Sequence, residues 1–137
     1  MAGPETVNAR SPRRGVVLFG HGSRDPAWRA PMDAVAARVQ ARAPGTLVRC
    51  AFLELMAPDL PSVAAEFTAA GVRHVTVLPL FLGVGRHARE DLPAIVQELG
   101  QAHPEVEWRL RPAVGEDPRL VDLLATLALQ EDDGLEA

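Results

Sequence analysis

The chain has 137 residues, a length that fits one domain. Its hydrophobic content of 47% suffices for one core and is too high for a disordered chain, and no apolar run approaches the ~20 residues that span a bilayer. A net charge of -4 argues against a general nucleic-acid surface.

The basic residues are all arginine and tyrosine is absent, so no lysine is available for a Schiff base or a P-loop and no phenol for acid chemistry. The single cysteine, Cys50, excludes an internal disulfide. It sits in an apolar run and reads as a small buried hydrophobe. The N-terminus carries Arg10, Arg13 and Arg14 without a leading apolar segment, so no secretory signal is expected and the reading points to the cytoplasm.

In chain order, residues 1–13 are polar, contain Pro4 and Pro12, and read as a disordered leader. Gly15 to Phe19 is a continuous apolar run, as in a strand buried on both faces. Gly20-His21-Gly22-Ser23 breaks it. Apolar residues then recur at helical spacing from Ala27 to Ala43, through Met32, Val35, Ala36 and Val39, until Pro44-Gly45 stops the helix. Leu47 to Leu53 predicts a second strand ending at Glu54. Asp59 suits an N-cap and Pro61 the first turn of a helix that runs to about Ala70, with Gly71 as its stop.

A third strand is expected from about Arg73 to Leu80. The stretch from Leu80 to Glu90 reads as a loop, with Gly83 and Gly85 turning the chain through angles closed to other residues and His87 presented beyond the strand. Asp91 then caps a helix from about Leu92 to Gln101, with Pro93 in its first turn. Val106 to Arg111 alternates as an edge strand would. Asp117 and Pro118 start a last helix through Leu120, Val121, Leu124 and Leu127. Residues 131–137 read as an acidic, frayed tail. The expected domain is 14–130. Its βαβαβαβα order implies an α/β fold, a mostly parallel four-stranded sheet with helices on both faces.

In open parallel sheets, ligands bind beyond the carboxyl ends of the strands. His21 follows the first strand by one glycine, Glu54 ends the second, and His87 lies after the third. These three can converge at one sheet edge. Two imidazoles and a carboxylate are a common ligand set for a divalent transition metal, and they also supply acid–base groups near neutral pH. Each also has a plainer use: His21 as a helix-entry residue bonded to backbone, Glu54 and His87 as solvated side chains. His74 and His103 read as surface residues. Gly20-His21-Gly22-Ser23-Arg24 lacks the spacing of a nucleophile elbow, and no Gly-x-Gly-x-x-Gly follows the first strand.

Three segments together carry a resemblance: Phe19-Gly20-His21-Gly22-Ser23-Arg24-Asp25-Pro26; Ala51-Phe52-Leu53-Glu54; and Pro79-Leu80-Phe81-Leu82-x-x-Gly85-x-His87-x-x-x-Asp91-x-Pro93. They resemble the CbiX/SirB family of sirohydrochlorin chelatases, class II enzymes that insert cobalt or iron into a tetrapyrrole. The similarity runs from about residue 15 to 129. It implies a chelatase-like fold and metal held by His21, Glu54 and His87, with His21 and His87 also the catalytic groups. It implies no tightly bound cofactor beyond the substrate metal, which is Co²⁺, Fe²⁺ or Ni²⁺. It also implies a carboxylate-rimmed macrocycle as partner, with no role for nucleic acid or membrane. Arg24, Arg29, Arg86 and Arg89 lie near the expected site and suit bidentate carboxylate binding, though each can equally be a solvated charge. Phe81 and Leu82 can floor the ring.

A His-rich tail seen in some relatives is missing. Single-domain relatives are thought to pair, and one small domain offers only a shallow shelf for a wide macrocycle, so a homodimer is expected, with the 80–84 loop a candidate contact. A non-catalytic metal or tetrapyrrole carrier stays open as the second reading.

Overall fold

Four apolar runs become four strands, all parallel: β1 (Arg14–Gly20), β2 (Leu47–Phe52), β3 (His74–Pro79) and β4 (Glu107–Leu110). The computed structural model describes residues 14–131, the His87 side chain excepted. The expected leader and the acidic tail beyond Glu131 lie outside the described residues. The spatial order is β2-β1-β3-β4. The chain therefore steps one way from β1 to β2 and the other way to β3, which puts a topological switch point at the carboxyl ends of β1 and β3. The short β4, with its alternating exposed and half-buried residues, is an edge strand as its sequence predicted.

Helices α1 (Ala30–Arg42), α2 (Leu60–Ala69), α3 (Arg86–Ala102) and α4 (Pro118–Leu129) alternate with the strands. Pleating sends alternate β1 residues to opposite faces. Val17 and Phe19 join Val63 and Phe67 of α2 and Leu92 and Leu99 of α3 in the larger core. Leu18 turns the other way, to Met32 of α1 and to Val48, Cys50 and Phe52 of β2. Helices thus lie on both faces, as expected. Burial raises the pKa of the Cys50 thiol, and the nearby Asp33 carboxylate adds to the effect. Cys50 is thus the inert core residue its sequence context predicted.

Local chemistry explains the starts of α2 and α4. The Asp59 carboxylate accepts from Ser62 N–H at 2.9 Å, with Pro61 in the first turn behind it. Asp117 accepts from Arg119 N–H at 2.9 Å, and its pKa is lowered to about 2, chiefly by the Arg119 side chain and backbone donors. Gly71, at φ 86°, ends α2 in the left-handed conformation that glycine tolerates. Replacing Asp59 by Ala is expected to cost about 1 kcal/mol, the usual worth of such a cap. Thermal unfolding would show this as a drop of a few degrees in Tm, and an unchanged Tm would mean that the cap contributes nothing.

One helix starts earlier than its sequence suggested. Asp91 and Pro93 do not open α3; they lie inside it, and Gly85 is its N-cap. Pro93 is exposed and offers no N–H to the Arg89 carbonyl, a defect of about 3 kcal/mol in a helix interior. Good helix formers on either side, Ala88, Arg89 and Glu90 before it and Ala94 after it, carry the helix through. The apolar face of α3 is buried through Leu92, Val96 and Leu99. His87 therefore belongs to the first turn of α3 rather than to a loop.

Candidate metal centre

The site is assembled by hydrogen bonds that reach out from the end of β1. Leu53 N–H donates to Gly20 O at 2.9 Å, and Glu54 N–H donates to His21 O at 3.1 Å, so the β2 loop runs beside the β1 loop. On the other side, Leu80 N–H donates to Phe19 O at 2.8 Å and brings in the β3 loop. The result is a side-chain pair, His21 Nε2 and Glu54 Oε2, 3.3 Å apart and both more than half exposed. The His21 ring stands edge-on to Phe81, with centroids 6.2 Å apart, and Phe81 stands edge-on to Phe19 at 6.0 Å. The imidazole is thus seated on the larger core while its nitrogens remain open to solvent.

The glycines around His21 admit protein neighbours. A Cβ on Gly20 would lie 2.6 Å from Met32 Sδ. Gly22 has φ 103°, and a Cβ there would lie 1.8 Å from the Glu54 carbonyl oxygen. Gly22 is what lets the two loops close on each other. Leu55, just past Glu54, takes φ 70°, a left-handed conformation that costs a non-glycine residue roughly 1–2 kcal/mol. Strain of this kind gathers where a loop is held for function. By contrast, Gly83 and Gly85 have ordinary φ angles and open space around them, so the turn after β3 does not need their special freedom.

A pocket of about 330 Å³ opens beside the pair, lined among others by His21, Leu53, Phe81, Arg86, Asp91 and Leu92. Asp91, expected as a helix cap, instead faces this pocket from α3, one helical turn after His87. Among the described residues, no three of His, Cys, Asp and Glu stand close enough to hold one ion. The structure therefore brings His21 and Glu54 together, and His87 enters as a backbone position in the first turn of α3.

The arginines divide. Arg86 lines the pocket with His21. Arg24 is exposed on the loop after His21. Arg89 faces the cleft on the far side of α3, with one guanidinium nitrogen 3.4 Å from Val84 O. Arg29 is engaged elsewhere, bonded to Asp33 and packed 4.8 Å over the Phe52 ring. Of the expected ring floor, Phe81 is buried beneath His21 and Leu82 is 67% exposed. His74 is at the opposite edge of the sheet, paired with Glu107 at 2.9 Å. The sequence reading also missed a support. Gly115, in the 3₁₀ turn before α4, donates to Phe81 O at 3.0 Å, and a Cβ there would lie 1.7 Å from Leu82 O.

The family model for CbiX matches residues 15–131. The chain belongs to the CbiX family. A CbiX protein of Marinobacter aquaeolei, described as a putative cobalamin (vitamin B12) biosynthesis protein, superposes with a TM-score of 0.74 at 31% identity, covering 86% of this chain and 96% of that one. The sirohydrochlorin chelatase SirB of Bacillus subtilis, solved with cobalt, shares the fold at a TM-score of 0.70 and 22% identity, covering 86% of this chain and 51% of that one. A sirohydrochlorin cobaltochelatase of Methanococcoides burtonii is 31% identical over 87 residues, 64% of this chain and 66% of the relative. The chain covers less than two thirds of the length of the first curated relatives it matches. The CbiX match contains all of the sheet but Arg14 and every segment that builds the His21–Glu54 pair.

Proposed function

We propose that this CbiX-family chain is a sirohydrochlorin chelatase, inserting cobalt or iron into the tetrapyrrole, with nickel a third candidate ion. The observation that carries the reading is the His21–Glu54 pair, 3.3 Å apart, open to solvent at the carboxyl ends of β1 and β2 beside a pocket with apolar walls. Relatives named as cobaltochelatases and a ferrochelatase support the choice of chemistry.

In this reading His21, Glu54 and His87 hold the metal. Three protein ligands leave coordination positions free, which a closed structural site would not, so the ion can be handed on. Insertion exchanges one divalent ion for two pyrrole N–H protons. His21 and His87 accept those protons as they release the metal. The exposure of His21 matters here, because an imidazole sealed in the core could neither receive a macrocycle nor pass protons to water. Arg86, beside the pocket, binds a peripheral carboxylate, and Arg24 and Arg89 extend the same role along the rim. Arg29 instead holds the α1 entry in place. Leu53 and Leu82 give the ring an apolar rest.

The reading further takes residues 14–130 as one domain that works as a cytoplasmic homodimer. None of the helices among the described residues is long and apolar enough to cross a membrane. A second copy supplies the second wall that a wide macrocycle needs.

The test is spectral. Purified protein is mixed with sirohydrochlorin and Co²⁺, Fe²⁺ or Ni²⁺ in turn, and the absorbance change of metal insertion is followed against the uncatalysed rate. Acceleration with at least one ion is expected. Tight binding of metal or macrocycle with no acceleration by any ion would replace the enzyme by a carrier.

A further inference from the structure

A second His–Glu pair stands at the amino-terminal edge of the sheet, the end away from His21. His74 Nδ1 and Glu107 Oε1 are 2.9 Å apart, at the first residues of β3 and β4. A carboxylate only accepts, so Nδ1 carries the hydrogen of this bond.

The surroundings of this pair differ from those of His21 and Glu54. The parallel register sets Arg14 of β1 opposite His74, and Thr76 of β3 opposite Arg109 of β4. Residues two apart on a strand share a face. Arg14, His74, Thr76, Glu107 and Arg109 therefore stand on one face of the sheet, and together with Val75 they line a pocket of about 310 Å³. Glu107, the one acidic residue of the lining, bonds His74 rather than Arg109. Among the described residues, neither Arg14 nor Arg109 has an ion-pair partner.

A metal ion does not suit this pocket. A His and a carboxylate are a start for a divalent ion, but two ligands are too few, and two guanidinium groups beside them repel a cation. An anion suits it well. Arg14 and Arg109 come from the strands on either side of β3, so their backbones are at least about 10 Å apart. Long side chains from that distance can close on one group held between them, above the middle strand. The Thr76 hydroxyl, on that middle strand, offers a further donor. Guanidinium groups bind carboxylate and phosphate oxygens through paired, charge-assisted hydrogen bonds.

We propose that this edge of the sheet is a binding site for a small dianionic oxyanion, a phosphate group or a dicarboxylate, held between Arg14 and Arg109 over Thr76. The site lies at the opposite end of the strands from the metal centre and stands whether or not the chain inserts metal. A nucleic acid fits less well, because a chain of net charge -4 repels it and the pocket offers two guanidinium groups rather than a basic stripe.

The test titrates the full nitrogen-15-labelled chain with sodium phosphate, and separately with sodium succinate, at fixed ionic strength balanced by chloride. Backbone and arginine side-chain NMR shifts give the site and the affinity. Saturating shifts centred on Arg14, Thr76 and Arg109 are expected, with a Kd on the order of 1 mM, in keeping with two exposed charge-assisted contacts. Saturation by phosphate alone assigns a phosphate group, by succinate alone a dicarboxylate, and by both a dianion of either kind; each supports the site. Arg14→Gln and Arg109→Gln should each raise the Kd at least about 10-fold. Both residues are exposed, so the variants should fold. Glu107→Gln should lower the Kd about 2-fold or more, because it removes the one negative side chain of the pocket. No saturation by either anion up to about 20 mM, some twenty times the expected Kd, would overturn the site. So would Gln variants that bind as wild type does. Should a variant unfold, the wild-type shifts decide, since saturating shifts centred on any other part of the chain overturn the proposal. Metal insertion, assayed alongside, should be unchanged in both arginine variants, so failure of this site and failure of the chelatase reading stay distinct.

Discussion

Replacing His21 by Ala is expected to lower metal insertion at least about 100-fold while leaving the fold intact. Removing a residue that merely orients a metal ligand typically costs 10–100-fold, and loss of a ligand should exceed that. The fold should survive because the His21 side chain is 60% exposed and Glu54, with which it pairs, is 56% exposed. Surface substitutions of this sort usually stay within about 0.5 kcal/mol. Glu54→Gln is the sharper companion. It keeps the size and one oxygen of the side chain but removes the charge, so it separates a need for a carboxylate from a need for any hydrogen-bonding group. His87→Ala completes the set. Spectral assays of the three variants, with metal titrations and circular dichroism alongside, check the assignment. Insertion at the wild-type rate by folded His21→Ala would remove His21 from the metal centre.

The His21–Glu54 contact was legible in the sequence because it depends on few things. Two apolar runs, Gly15 to Phe19 and Leu47 to Leu53, had to be neighbouring parallel strands, and the residues just past each then had to lie at the same edge. Parallel pairing does the rest: Gly20 is opposite Phe52 in the register, which sets the two following loops side by side. The caps at Asp59 and Asp117 were legible for a similar reason, since each is a local contact with a residue two or three positions on.

What was not legible depended on distant neighbours or on competing local signals. Asp91 and Pro93 form a good helix start when taken alone. The segment Arg86 to Glu90 overrides them, because it can extend the helix upstream and bring Leu92, Val96 and Leu99 onto the core. Arg29 looked available until α1 supplied Asp33 one turn away and β2 supplied the Phe52 ring. The exposed α4, none of whose residues is buried, is the clearest limit. Its apolar spacing reads the same whether its face packs within the chain or against another copy, so periodicity reveals the face but never what covers it.

Gly22→Ala is expected to damage both stability and metal insertion, although position 22 offers no ligand. At φ 103° a Cβ is strained by at least about 1–2 kcal/mol. The larger effect comes from the collision. The added carbon would lie 1.8 Å from the Glu54 carbonyl oxygen, well inside any contact distance, and that oxygen is backbone and cannot rotate away. One of the two loops has to move. The Glu54 N–H···O His21 bond of 3.1 Å lies in the path of that movement, and the 3.3 Å side-chain pair depends on it. Thermal unfolding should show a Tm several degrees lower. Insertion should fall by at least about 10-fold even at temperatures where the variant is fully folded, because a shift near 1 Å at a catalytic group can cost about 100-fold. The two readouts separate the causes. Gly71→Ala is the control, with a comparable φ of 86° but open space around the glycine and a place far from the pair, so it should lower Tm through backbone strain while insertion stays normal. If Gly22→Ala behaved like Gly71→Ala, losing stability alone, the loop contact at Gly22 would have no part in holding His21 against Glu54.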